Sequence, residues 1–283
     1  MALFGLFKSG ASNDEMSFWS HIDALRGHIF RSVIVVSIFS VVLFCYPEFL
    51  FDTVIFAPLK NDFLTYRAFC KLSHLLNLGN DLCFGNYSFK LQSLGLADQF
   101  TSQMWIAFLS GLIISAPYVL WELWRFIKPA LKEKEKKVSF GFIFSTTFLF
   151  IVGVLFSYFV IVPLTVNFLG NYQVSSMVQN NFTMDSYIST VTTLTISAGL
   201  VFELPVLIYF LSLFGLTTPQ FLRKYRKYAI VIILIVAGVI TPSPDVTSQL
   251  LVAFPLYFLY EASIFVSYYA IKKRVADDLK STL

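Results

Sequence analysis

The sequence predicts an all-α integral membrane protein of six transmembrane helices with both termini in the cytoplasm, and three observations predict it. Of 283 residues, 57% are hydrophobic and 13% are charged, with a mean hydropathy of +0.71. An ordinary soluble domain carries about 25% charged residues. The apolar residues form runs almost free of charge and long enough to span a bilayer. Basic residues crowd every second connection between those runs. So thin a polar coat excludes a water-soluble globular domain, a disordered chain and a secreted disulfide scaffold. Thirty-two Phe, fourteen Tyr and four Trp suit lipid-facing helices flanked by interfacial aromatic belts. At about 20 residues per span, the length holds six or seven spans and their loops.

The first span is 29–46, preceded by a short polar segment over 17–26. The second is 105–124 and the third 138–164. The fourth, 187–216, is interrupted only by Glu203. The fifth, 228–240, makes a helix of about 20 Å against a hydrocarbon core of about 30 Å. A hairpin that short should thin the bilayer locally or leave a depression. The sixth, 249–271, contains Glu261. All six are apolar around their whole circumference, as helices embedded in lipid must be. The chain thus reads as one membrane domain over 1–283, without a repeat of fixed period.

Seventeen of the twenty-one basic residues fall on one face. They lie in the N-terminal arm (Lys8, Arg26, Arg31), the loop from Arg125 to Lys137, the loop from Arg223 to Lys227, and the tail from Lys272 to Lys280. Only Lys60, Arg67, Lys71 and Lys90 fall on the other, in the long first loop at 47–104. The positive-inside rule puts the crowded face, and with it both termini, in the cytoplasm. A cleavable signal peptide is not expected, because the first apolar run starts late and has no small-residue cleavage pattern. The external loop holds Cys70 and Cys83, while Cys45 belongs to the first span. A disulfide between Cys70 and Cys83 and a pair of free thiols are both open readings.

Catalysis has little to stand on. Three His, no HExxH, no GxSxG and no Walker-type loop leave no expected catalytic, cofactor or metal site. The chain therefore reads as a non-enzyme without nucleic-acid business, powered by a partner or by the membrane potential. Glu203 is the most informative residue. A carboxylate at mid-span costs at least ~2.5 kcal/mol, which marks an intramembrane docking or ion site more often than a bystander. Pro205, two residues on, frees a carbonyl in the preceding turn and should kink the helix. In the second cytoplasmic loop the lysines follow from topology, but Glu133 and Glu135 could receive a cationic ligand or lie on a solvated helix face. Between spans five and six, the prolines after Thr241 make a tight turn, with Asp245 as N-cap of the last helix. That hairpin brings Thr241 and Gln249 to lipid depth.

Together these segments resemble the TatC family of the twin-arginine protein translocase. The N-terminal segment from His21 to Arg26 is similar to the family's His-Leu-x-Glu-Leu-Arg signature. Phe56-Ala-Pro-Leu59, with Pro58, resembles the start of its first external loop. Ser115-Ala-Pro117, Trp124-Arg-Phe126, Pro129-Ala-Leu131 and Glu135 follow in the family's order. Phe202-Glu-Leu-Pro205, the segment from Thr241 to Asp245, and Ser248-Gln249 complete the pattern. The resemblance implies a receptor in the bacterial cytoplasmic (inner) membrane that binds paired-arginine signal peptides. It implies an oligomeric complex with TatA-like and TatB-like single-span partners, exporting folded proteins on the proton-motive force. By position, it makes Glu135 the acceptor of the guanidinium groups, helped by Phe126, Arg26 and Asp23. Glu203, Thr241 and Gln249 would contact the partner helices. Two departures stand out: Ala24 occupies a position usually acidic in the family, and Glu133 one usually basic. Without the resemblance, a proton-coupled small-molecule transporter or ion channel using Glu203 would be the leading alternative.

Overall fold

The computed structural model describes residues 18–75, 91–128, 139–173, 175, 177, 181–241 and 246–282. Among them, regular structure is helical, and the one pairing of extended backbone is an isolated bridge between Gln92 and Thr183. In chain order the helices are α1 (Phe18–Phe44), α2 (Leu64–Leu75), α3 (Asp98–Ile127), α4 (Ser139–Phe156), α5 (Val162–Asn171), α6 (Met184–Phe202), α7 (Leu204–Leu213), α8 (Pro219–Lys224), α9 (Arg226–Ile240) and α10 (Val246–Thr282).

Among the described residues, four stretches are long and apolar enough to cross a membrane: Asp23–Phe44, Asp98–Ile127, Ile143–Asn171 and Met184–Leu213. They overlap the first four predicted spans. Their ends differ from the predicted ones by two to seven residues, because helix hydrogen bonding need not stop where an apolar run does. The fifth expected span corresponds to α9, fifteen residues long. The sixth falls within α10, thirty-seven residues long.

α1 and α3 run antiparallel and pack along their length. At one end the Gln103 amide donates to the Phe44 carbonyl at 3.0 Å. Midway, Gly111 lets the backbones close together: a Cβ there would stand 2.3 Å from Ser40 Oγ and 2.7 Å from the Ser40 nitrogen. The opposite, basic end is joined by His28 and Glu122. α4 packs on α6, α7 on α10, and α9 on α10. Between α7 and α10, Ser212 and Ser267 share a buried hydrogen bond of 2.7 Å, the polar contact between small residues that holds helices together in lipid.

Prolines shape the loop end of the molecule. A π-helical turn, Ser157–Ile161, joins α4 to α5, and Pro163 opens α5. Pro163 has no N–H for the Phe159 carbonyl four residues back; the buried Thr65 hydroxyl donates to that carbonyl instead. A second π-helical segment, Phe49–Ile55, and a short 3₁₀ turn, Ala57–Leu59, follow α1. Three tyrosines strap this segment down. Tyr158 donates to the Val54 carbonyl at 2.6 Å, Tyr187 to Ile55 at 2.7 Å, and Tyr66 to Pro58 at 2.8 Å. Pro58 is buried in this segment.

Ile106, Val162, Ile188, Leu194 and Ala237 lie at the centre of the packed bundle. Phe30, Phe148, Leu207, Val239, Phe254 and Phe258 point outward and are exposed. Large apolar side chains on the outside of a bundle suit hydrocarbon as their solvent.

Candidate functional site

At the basic end, the α1–α3 pair encloses one carboxylate. Glu122 falls in the penultimate turn of α3 with its side chain 1% exposed. His28 Nδ1, 94 residues away on α1, hydrogen-bonds Glu122 Oε2. The Tyr118 hydroxyl, one turn earlier on α3, donates to Oε1 at 3.1 Å. Arg125 and Arg31 approach the same oxygen at 3.4 and 3.5 Å. Charge in a poorly hydrated place needs such partners, and here they come from both helices. Aromatic rings border the cluster. The Arg125 guanidinium lies over Trp121 at 4.9 Å from the ring centroid. The Phe126 ring meets that of His28 edge-on, with centroids 6.2 Å apart.

Of the residues that the resemblance assigned to guanidinium recognition, Phe126 is half-buried at this end of α3. Arg26 and Asp23 are exposed on α1, in the same stretch of helix as His28. Glu135, like Glu133, lies outside the described residues. Phe126, Arg26 and Asp23 thus all belong to the basic ends of α1 and α3. Sequence reasoning passed over Glu122 and His28. The usable signal was one acid among apolar residues at the edge of a span, between Trp121 and Trp124 and three residues before Arg125.

Glu203 marks a break rather than the middle of a helix. α6 ends at Phe202 and α7 begins at Leu204, with Pro205 buried in the first turn of α7. There its missing N–H costs nothing. The interruption therefore falls at Glu203, two residues ahead of the proline expected to kink the span. The Glu203 N–H is directed at the Leu200 and Val201 carbonyls, the latter being the one Pro205 cannot serve. Oε1 of Glu203 is buried and, among the described residues, has no hydrogen-bond partner.

The hairpin between α9 and α10 is tied from within. Thr241 is 5% exposed and donates through Oγ1 to the Ala237 carbonyl at 3.0 Å. Gln249 Nε2 reaches across to the Leu234 carbonyl at 2.8 Å. α10 begins at Val246, and Asp245 lies outside the described residues. At the loop end, Cys70 is disulfide-bonded and Cys45 is free; the third cysteine, Cys83, lies outside the described residues.

Comparison with known proteins gives this geometry a family. The family model for TatC, the Sec-independent protein translocase protein, matches residues 20–255. The TatC protein of Blattabacterium sp. subsp. Periplaneta americana is 40% identical over 262 residues, covering 92% of this chain and 98% of its own. That of Carboxydothermus hydrogenoformans is 32% identical, covering 94% of this chain and 98% of its own. A crystal structure of the twin arginine translocase receptor TatC superposes with a TM-score of 0.68 at 31% identity, covering 88% of this chain and 99% of that one. The chain therefore belongs to the TatC family, membrane components of the twin-arginine protein translocase whose business is transport rather than catalysis.

Proposed function

We propose that this chain is the receptor and core subunit of the twin-arginine translocation system in the bacterial cytoplasmic membrane. It binds the paired-arginine signal peptides of folded precursors through Glu135, with Phe126, Arg26 and Asp23 around it. It gathers TatA-like and TatB-like single-span partners into an oligomeric complex and exports precursors on the proton-motive force. The observation that carries this reading is the family match from residue 20 to 255, which takes in every described element except the first two residues of α1 and the end of α10. The chemistry agrees with it. A carboxylate accepts a planar guanidinium fork bidentately, which a lysine ammonium does not reproduce.

In this reading α9 and α10 are the fifth and sixth spans, and the crowded basic face with both termini is cytoplasmic. Partner helices dock at Glu203, where a carboxylate oxygen lies buried without a partner among the described residues. Thr241 and Gln249 serve the same docking by holding the short hairpin in shape. Co-purification tests the proposal. The membrane-embedded chain should retain a precursor with paired arginines and release the same precursor carrying paired lysines. Equal retention of both would remove the receptor role.

A further inference from the structure

The partners of Glu122 are unequal. His28, 16% exposed, holds Oε2, and Tyr118 reaches Oε1 from the same helix. The other two, Arg31 and Arg125, are 48% and 45% exposed and both address Oε1 through a single nitrogen, at 3.5 and 3.4 Å. Charge-assisted N–H···O bonds run at about 2.7–2.9 Å, and a guanidinium pairs best by two parallel bonds. Neither arginine reaches that geometry. One oxygen of a buried carboxylate is thus shared by the Tyr118 hydroxyl and two half-exposed guanidiniums.

Asp23 is the only acidic residue of α1, and it is exposed. Beside Glu122, by contrast, stand Trp121, which already carries a guanidinium on its face, and Phe126. An aromatic face next to a buried carboxylate is a surface on which guanidinium stacks.

We propose that Glu122 is a second guanidinium-receiving carboxylate of the signal-peptide site, held in the unliganded receptor by Arg31 and Arg125. One of these arginines yields Oε1 to an arginine of the arriving peptide. The inference rests on the reading of this chain as a receptor for paired arginines. The exchange breaks one ion pair, forms one, and moves no proton. The displaced side chain is already about half exposed, so releasing it costs less than freeing a buried one. His28 and Tyr118 keep their bonds, and α1 stays joined to α3.

Exchange and a purely structural clasp predict opposite signs. If Arg31 and Arg125 compete with the ligand, removing either strengthens binding; if they only brace the helices, removing either weakens it. The test uses the full chain in lipid nanodiscs and two fluorescent peptides, one with adjacent arginines before an apolar stretch and one with lysines in their place. Arg31→Gln and Arg125→Gln should each tighten the arginine peptide about three- to tenfold, and Arg31→Lys should fall between Arg31→Gln and the wild type. Glu122→Gln should weaken the arginine peptide about tenfold and the lysine peptide less, which narrows the preference between them. Weaker arginine-peptide binding in both arginine variants would overturn the proposal, as would an unchanged preference in Glu122→Gln. A wild type with no preference for arginine would bring down the receptor reading itself, and this inference with it. Preference lost in Glu135→Ala but intact in Glu122→Gln would remove the second carboxylate alone.

Discussion

The Thr65 hydroxyl donates to the Phe159 carbonyl, the acceptor that Pro163 leaves unserved in the helix. A hydrogen bond 94 residues long in sequence therefore repairs a local break and docks α2 onto the π-helical turn between α4 and α5. Thr65 is 7% exposed, so Thr65→Val keeps the shape and strands the carbonyl. It should cost about 1–3 kcal/mol, the price of an unmet buried acceptor. Thermal unfolding in detergent measures it, and an unchanged midpoint would show that the bond contributes nothing.

Gly111 should tolerate no branched side chain. A Cβ would stand 2.3 Å from Ser40 Oγ and 2.9 Å from its Cα, so Gly111→Val must push α1 off α3. We expect a loss of about 1–3 kcal/mol from overpacking, with Gly111→Ala milder. Cysteines placed at the facing ends of the two helices would crosslink less readily in the valine variant. Equal crosslinking would mean that the pair is not packed this tightly.

The disulfide has a direct chemical signature. In denatured, non-reduced protein, alkylation should label Cys45 and leave Cys70 unlabelled until a reductant is added. Peptide mass spectrometry distinguishes the two. Labelling of Cys70 before reduction would exclude the bond.

Glu203 is expected to serve docking through hydrogen bonding. Glu203→Gln keeps donor and acceptor groups and should retain much of the single-span partner on co-purification. Glu203→Leu should lose it, consistent with an interhelical contact worth roughly 0.6–2 kcal/mol in lipid. If the glutamine variant failed as completely as the leucine one, ionisation would be required, and the proton-coupled transporter would become the better reading.

How much of this was legible in the sequence depends on the range of the interaction. Apolar runs located the four helices long and apolar enough to cross a membrane, because hydropathy is a local property of the chain. Pro205 announced a break, but its stiff ring is at home in a first turn, so the break fell upstream at Glu203. The π-helical turns at Phe49–Ile55 and Ser157–Ile161 had no local signal; the tyrosines and Thr65 that serve them come from distant segments. Glu122 stayed hidden for the same reason. Nothing near Trp121 shows that His28 and Arg31 will arrive from another helix, and that meeting follows from the antiparallel register set by Phe44 and Gln103. The family pattern pointed instead to Glu135, whose significance comes from position in a motif rather than from a contact.

The role of Glu135 is therefore where the account is most directly tested. A paired-arginine signal peptide carrying a photocrosslinker beside its arginines should label the wild-type chain in membranes. Glu135→Ala should abolish that label while membrane insertion is unchanged, and Glu133→Ala should reduce it less. Undiminished crosslinking in Glu135→Ala, or a larger loss in Glu133→Ala, would contradict the assignment of Glu135 as the guanidinium acceptor.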